Sequence, residues 1–218
     1  MSRIAPTLLA VSISALLLTA CSDGSDDRSS GVIQPCGGTE AETERLFLQQ
    51  LTDTSVIIKW RGEATSACIG ASADNLDTLV EATETDGDHK EARFSGLTPQ
   101  SKYYYSIGGA STAPAEQFYT TAPAAGELPQ DGNTRIWLIG DAGTIGDDEA
   151  NHAGEAAEVL AGMEAFVAAD GEPVDVFMML GDNAYDVGSD FNYQQAVFEL
   201  YVTLLKQVSV WPTIGNHE

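Results

Sequence analysis

A chain of 218 residues with a hydrophobic share of 43% has room for one large domain or two small ones, and enough apolar mass for ordinary cores. Its net charge of −23, from 33 acidic residues against 10 Lys and Arg, excludes nucleic acid as an expected partner, because such a surface repels a phosphate backbone. It would also repel anionic substrates unless metal cations reverse the field locally, although adaptation to a saline habitat is the simpler account of the acidity.

Residues 1–20 carry Arg3 and an apolar run from Leu8 to Leu18, too short to cross the hydrocarbon core of a bilayer, and so read as a secretory signal. The ending Leu18-Thr19-Ala20-Cys21 resembles the bacterial lipobox, in which cleavage precedes a cysteine that is then lipidated. Cys21 is thus the expected lipid-bearing N-terminus, and the polar stretch 21–39 the tether that follows it. Export would leave Cys36 and Cys68 where disulfides persist, either paired or as two buried thiols.

From about residue 40 to 122 the pattern is that of strands. Val56, Ile58 and Trp60 alternate with Ile57 and Lys59, the period of a half-buried strand. Similar runs occur at Leu46–Gln50, Ala67–Gly70, Leu76–Ala82, Glu91–Phe94, Tyr103–Ile107 and Gln117–Thr120, separated by Gly, Asp, Asn and Pro. About seven strands in an all-β sandwich are expected. The stretch Gly96-Leu97-Thr98-Pro99-Gln100-Ser101-Lys102-Tyr103-Tyr104-Tyr105 resembles the turn into the sixth strand of a fibronectin type III domain. That resemblance makes Tyr103 the corner tyrosine, its hydroxyl bonded back to the preceding loop, and Trp60 the core tryptophan of the second strand.

Residues 123–134, with Pro123, Gly126, Pro129 and Gly132, read as a linker. Beyond it Arg135–Ile139 and Val174–Leu180 are continuous apolar runs, as in strands buried on both faces. Between them Ala153–Ala169 places Ala156, Leu160, Met163 and Val167 on one helical face, and Tyr193–Leu205 does the same with Val197, Leu200, Tyr201 and Leu204. A third strand, Val208–Ile214, has Pro212 near its end. The order strand, helix, strand, helix, strand is the beginning of an α/β layered domain over 135–218.

Three motifs fall at the carboxyl ends of these strands: Gly140-Asp141-Ala142-Gly143, Gly181-Asp182-Asn183-Ala184-Tyr185 and Gly215-Asn216-His217-Glu218. Ligands gather at that edge of an open α/β sheet, and the leading glycines permit a tight departure that turns Asp141, Asp182 and Asn216 into one crevice. Alone, Gly-Asp-x-Gly is a common turn; three such motifs at successive strand ends are far more specific.

Together they resemble the metallophosphoesterase superfamily, and Tyr185 narrows the resemblance to the purple acid phosphatases, over roughly Glu40 to Glu218. The sandwich is similar to the N-terminal domain of the large members. The resemblance implies that Asp141 and Tyr185 bind a ferric ion, that Asp182 bridges it to a divalent ion (iron, zinc or manganese), and that Asn216 serves the latter. His217 would stand beside a phosphate monoester substrate as hydrogen-bond donor or acid, without ligating metal. His89 and His152 match no motif and are expected at the surface. The family pattern also has three histidines downstream, in an Asn/Val-x-x-His and a Gly-His-x-His stretch. The chain is therefore expected to be the inactive N-terminal fragment of an acid phosphatase, with its sheet truncated and one apolar face open. Two other readings stay open: a non-catalytic lipid-anchored binding module, and a metallophosphodiesterase, which Tyr185 disfavours.

Overall fold

The computed structural model describes residues 35–85, 88–142 and 155–218, all within one compact unit, Ile33–Glu218. The signal segment, Cys21, tether residues 21–34, Gly143 and His152 lie outside the described residues. Among those described, no helix is long and apolar enough to cross a membrane.

Eight strands build the first half: β1 (Glu44–Gln49), β2 (Ser55–Arg61), β3 (Ser66–Gly70), β4 (Thr78–Glu81), β5 (Thr83–Glu84), β6 (His89–Ser95), β7 (Lys102–Ile107) and β8 (Phe118–Thr120). They form two antiparallel sheets, ordered β1-β2-β6-β5 and β4-β3-β7-β8. The inward residues Leu48, Val56, Ile58, Trp60, Tyr105 and Ile107 are fully buried between them. The strand expected over Leu76–Ala82 is β4, and just past it the chain changes sheets to add a short strand the sequence did not show: β4 pairs with β3, and β5 with β6. Ile57, on the alternate face of β2, is also buried, so this strand is covered on both sides.

Local hydrogen bonds explain the two aromatic positions singled out in the sequence. Trp60 donates its indole N–H to the carbonyl of Ala64 at 3.2 Å, which satisfies the one polar atom of a buried ring. The Tyr103 hydroxyl accepts from the Thr98 amide at 3.0 Å, pinning the turn before β7.

The second half contains β9 (Ile136–Ile139), α1 (Glu155–Asp170), β10 (Val176–Met179), α2 (Asp190–Tyr193), a π-helical segment Gln194–Glu199, α3 (Val202–Leu205) and β11 (Val210–Pro212). The three strands are parallel with β10 in the centre. In α1, Ala156, Leu160, Met163 and Val167 are the half-buried residues and the other described positions are exposed. Two expectations need correction. The single helix Tyr193–Leu205 is broken: Tyr201 leaves the helical region (φ −97°, ψ 23°), and its ring sits 5.7 Å from Trp137 and 5.3 Å from Phe177. Nor are β9 and β10 buried on both faces. Trp137, Phe177 and Met179 pack with Val197, Tyr201 and Leu205, whereas Ile136, Leu138, Leu180 and Trp211 on the opposite face are 52%, 55%, 53% and 44% exposed. The covering side chains come from one side only, so the apolar runs exceed what the described layers bury.

The sandwich and the parallel sheet share packing. Phe47 of β1 belongs to the cluster around Phe177 and Tyr201 and lies 5.4 Å from the Phe198 ring. Leu48 forms a parallel bridge with Ser209, and the Tyr105 hydroxyl donates to the Lys206 carbonyl at 2.9 Å.

Cys36 and Cys68 are disulfide-bonded, Cα–Cα 6.1 Å, which ties the leading segment to β3 beside buried Leu76. The bond closes a loop with a sequence separation of 32. Replacing both cysteines with alanine should lower the unfolding free energy by about 3 kcal/mol, read as a lower urea midpoint. An unchanged midpoint would mean that the segment is held unaided by Gly38 N–H on the Gly109 carbonyl (2.8 Å) and by the Glu40 carboxylate, which accepts from Ile107 N–H at 3.1 Å and from the Gln117 side-chain amide at 3.0 Å.

Candidate metal centre

The site begins with strand register. Ile139, Met179 and Pro212 are successive partners across the sheet, so β9, β10 and β11 end at one level. Pairing continues just beyond, with Leu180 N–H on the Ile139 carbonyl at 2.8 Å and Asp141 N–H on the Gly181 carbonyl at 3.1 Å. Asp141 and Asp182 then turn the chain with φ of 59° and 52°, a left-handed conformation that Asp tolerates better than most residues.

Two glycines permit the loops to touch. A Cβ on Gly181, whose φ is 101°, would stand 2.9 Å from the Gly215 nitrogen, and one on Gly215 would overlap the Asp182 backbone and carboxylate.

Glu218, which sequence reasoning left without a role, fastens this contact. Its carboxylate accepts the amides of Asp182 at 3.1 Å, Asn183 at 2.5 Å and Gly215 at 2.5 Å. Partial burial pushes its pKa up, but these three donors outweigh that and leave it below the usual carboxylate value. Asn183, only 2% exposed, adds a bond from its side-chain amide to the Thr213 carbonyl at 2.8 Å. Its place directly after Gly181-Asp182 was the available signal, and no pattern in one sequence separates it from a ligand.

The functional side chains converge on this frame. The Tyr185 hydroxyl bonds Asp182 Oδ2 at 3.1 Å and makes a closer contact with Asp141 Oδ1. Its pKa is raised, first by the hydrogen bond to Asp141, then by desolvation and the bond to Asp182, so without a cation the phenol keeps its proton. Asp182 is held below the ordinary carboxylate range, first by the His217 amide on Oδ1 at 3.0 Å, with desolvation opposing. The His217 ring lies 4.3 Å from that of Tyr185, and its Nδ1 is 2.7 Å from the Asp186 carbonyl. A carbonyl only accepts, so Nδ1 carries a proton and Nε2 is the acceptor of the neutral ring. Asn216 reaches the same edge with an exposed side chain, its backbone N–H directed to the Asp182 carboxylate.

His89 stands apart from this edge at the start of β6. It is half-buried with Arg61 Nε 3.1 Å from its Nε2, rather than a plain surface residue.

Among the described residues no group of three or more His, Cys, Asp or Glu side chains is close enough to hold a metal ion. What does converge is an all-oxygen set of two carboxylates and a phenol. Such a set fits part of the shell of a hard cation.

No protein-family model matches the chain, and neither does any curated protein. Among solved structures, purple acid phosphatase PPD1 from yellow lupin (Lupinus luteus) seeds is similar over 83% of this chain and 36% of its own, at 17% identity and a TM-score of 0.58. PhoD is similar over 79% of this chain and 38% of its own, at 13% identity and a TM-score of 0.50. An fn3 domain of human contactin 1 aligns with 49% of the chain at a TM-score of 0.27. The chain thus spans little more than a third of the two larger structures. The likeness to them is one of fold, which is purple acid phosphatase-like.

The contact of the two loops is open to a direct test. Gly215→Ala should lower stability by roughly 1–3 kcal/mol through overpacking, whereas Gly162→Ala, in an open position of α1, should raise it by up to about 1 kcal/mol. Thermal unfolding of the two variants reads the difference, and equal effects would refute the close approach. The Glu218 contribution should be complete above its unfolded pKa of about 4.3 and fade as pH falls through its lower folded value.

Proposed function

We propose that this chain carries part of the site of a metal-dependent acid phosphatase that hydrolyses phosphate monoesters at a centre of Fe(III) and a divalent ion, iron, zinc or manganese. The observation that carries this reading is the meeting of Tyr185 with both Asp141 and Asp182 at the carboxyl edge of a parallel sheet. In it Asp141 and Tyr185 would hold the ferric ion, Asp182 would serve both ions, and Asn216 would lend a neutral oxygen to the divalent ion. When bound, the two cations polarise the phosphoryl oxygens and acidify the attacking water.

The chain's own residues do the rest. Tyr185 holds its phenol proton between the Asp141 and Asp182 carboxylates, the position from which it would serve as a ligand once deprotonated. His217 has Nδ1–H committed to the Asp186 carbonyl, so only its protonated ring offers Nε2–H, which can donate to a phosphoryl oxygen or pass its proton to the departing alkoxide. Glu218 and Asn183 hold the two loops that position Asp182 and His217.

The same reading sets the enzyme outside the inner membrane. Residues 1–20 direct export, lipid on Cys21 is the membrane contact, and the acidic surface disfavours nucleic acid.

The test uses protein from the complete reading frame, with p-nitrophenyl phosphate and a diester analogue, metal analysis and visible absorption. Wild type should bind two metals, absorb visible light and prefer the monoester. Asp182→Asn should lower metal content and turnover by at least about tenfold, and Tyr185→Phe should remove the colour. Preference for the diester, with no visible band, would replace this reading with a metallophosphodiesterase. Absence of bound metal would leave a non-catalytic binding module.

A further inference from the structure

Asp190, the first residue of α2, lies eight positions after Asp182 and five after Tyr185. The segment between them is held at its front by Glu218. At its rear two arginines from neighbouring sandwich strands close on Asp190. Arg45 of β1 donates Nη1–H to Oδ1 at 2.8 Å and Nη2–H to Oδ2 at 2.9 Å, reaches the Asp190 carbonyl at 2.8 Å, and sends Nε–H to Gln194 Oε1 at 2.7 Å. Arg61 of β2 donates to the same carboxylate at 2.6 and 3.1 Å.

Two features separate this cluster from an ordinary surface ion pair. The Arg45 side chain is only 5% exposed and its guanidinium lies 4.9 Å from the Phe198 ring centroid, so loss of Asp190 would strand a buried cation. Arg45 also sits where the pairing of β1 with β2 shifts register, between Glu44 and Phe47, with a φ of 52°. Bulges of this kind re-aim a side chain, and a non-glycine residue persists in the left-handed region only where its surroundings hold it there.

We propose that Arg45 and Arg61 are positioning residues of the candidate metal centre: their grip on Asp190 fixes the segment 182–190, and with it the Tyr185 phenol. The sandwich is then a structural part of the site. This rests on the reading of Asp182 and Tyr185 as site residues, and the experiment separates the two. Hydrogen–deuterium exchange needs no metal, and the segment contains bonded amides to report on, Gly188 N–H on the Ala184 carbonyl and Ser189 N–H on Asn192 Oδ1.

In the full-length protein, Asp190→Asn and Arg61→Met should each raise exchange across 184–189 by about tenfold or more while β2 and β6 keep their protection. Arg45→Lys, which retains a charge and loses the fork, should fall between those variants and wild type. If the protein proves to be a phosphatase, kcat should drop with KM within about twofold, the signature of misplaced chemistry rather than lost binding. Unchanged exchange across 184–189, or a rise matched throughout the sandwich, overturns the proposal. Inactive wild type would refute the phosphatase reading and leave the exchange result to decide this one. Should Arg61→Met fail to fold, Asp190→Asn, which removes the charge but keeps an amide oxygen and the backbone carbonyl for the buried Arg45, carries the test.

Discussion

The site depends on one constraint, the register of three parallel strands. With β10 paired on both sides, Ile139, Met179 and Pro212 stand level, and the loops that follow leave the sheet within reach of one another. A slip of one residue would turn Phe177 and Met179 away from Tyr201 and Leu205, so burial of the apolar face also fixes where the polar residues emerge. The exposed loops take their geometry from the core beneath them.

That core is not made by the second half alone. Phe47 enters it from the sandwich, Leu48 bridges Ser209, and the buried Tyr105 places its hydroxyl on the Lys206 carbonyl. Fully burying a phenylalanine is worth about 1.5–3 kcal/mol, a large fraction of the stability of a single domain. The sandwich therefore works as a second wall for the parallel sheet. The ion-paired cluster at Asp190 extends this contact to the α2 end of the Tyr185 loop.

The excess of acid is handled unevenly. Four of the cations sit where distant segments join: Arg135 between Asp131 and Asp170, Lys206 on Glu116, Arg45 and Arg61 on Asp190. Among the described residues no such pair is formed at the strand ends. Asp182 and Glu218 are instead stabilised by backbone N–H groups, which fix their geometry without neutralising their charge. Uncompensated carboxylates held by dipoles are the electrostatic setting in which a cation binds well.

Much of this was legible in the residues. Period-two alternation located the sandwich strands, helical spacing picked out Ala156, Leu160, Met163 and Val167 as the inner face of α1, and glycine-led motifs marked the strand ends where Asp141, Asp182 and Tyr185 meet, because each pattern is a local consequence of backbone geometry. What stayed hidden depends on contacts between distant segments. The change of sheet at Ala82, the break at Tyr201, the three amides on Glu218 and the two arginines on Asp190 follow no period, since their partners lie up to 145 positions apart. Residue types and spacing determined which groups could act together. Only the tertiary structure decided what holds them, because a carboxylate reads the same in sequence whether it awaits a cation or fastens two loops.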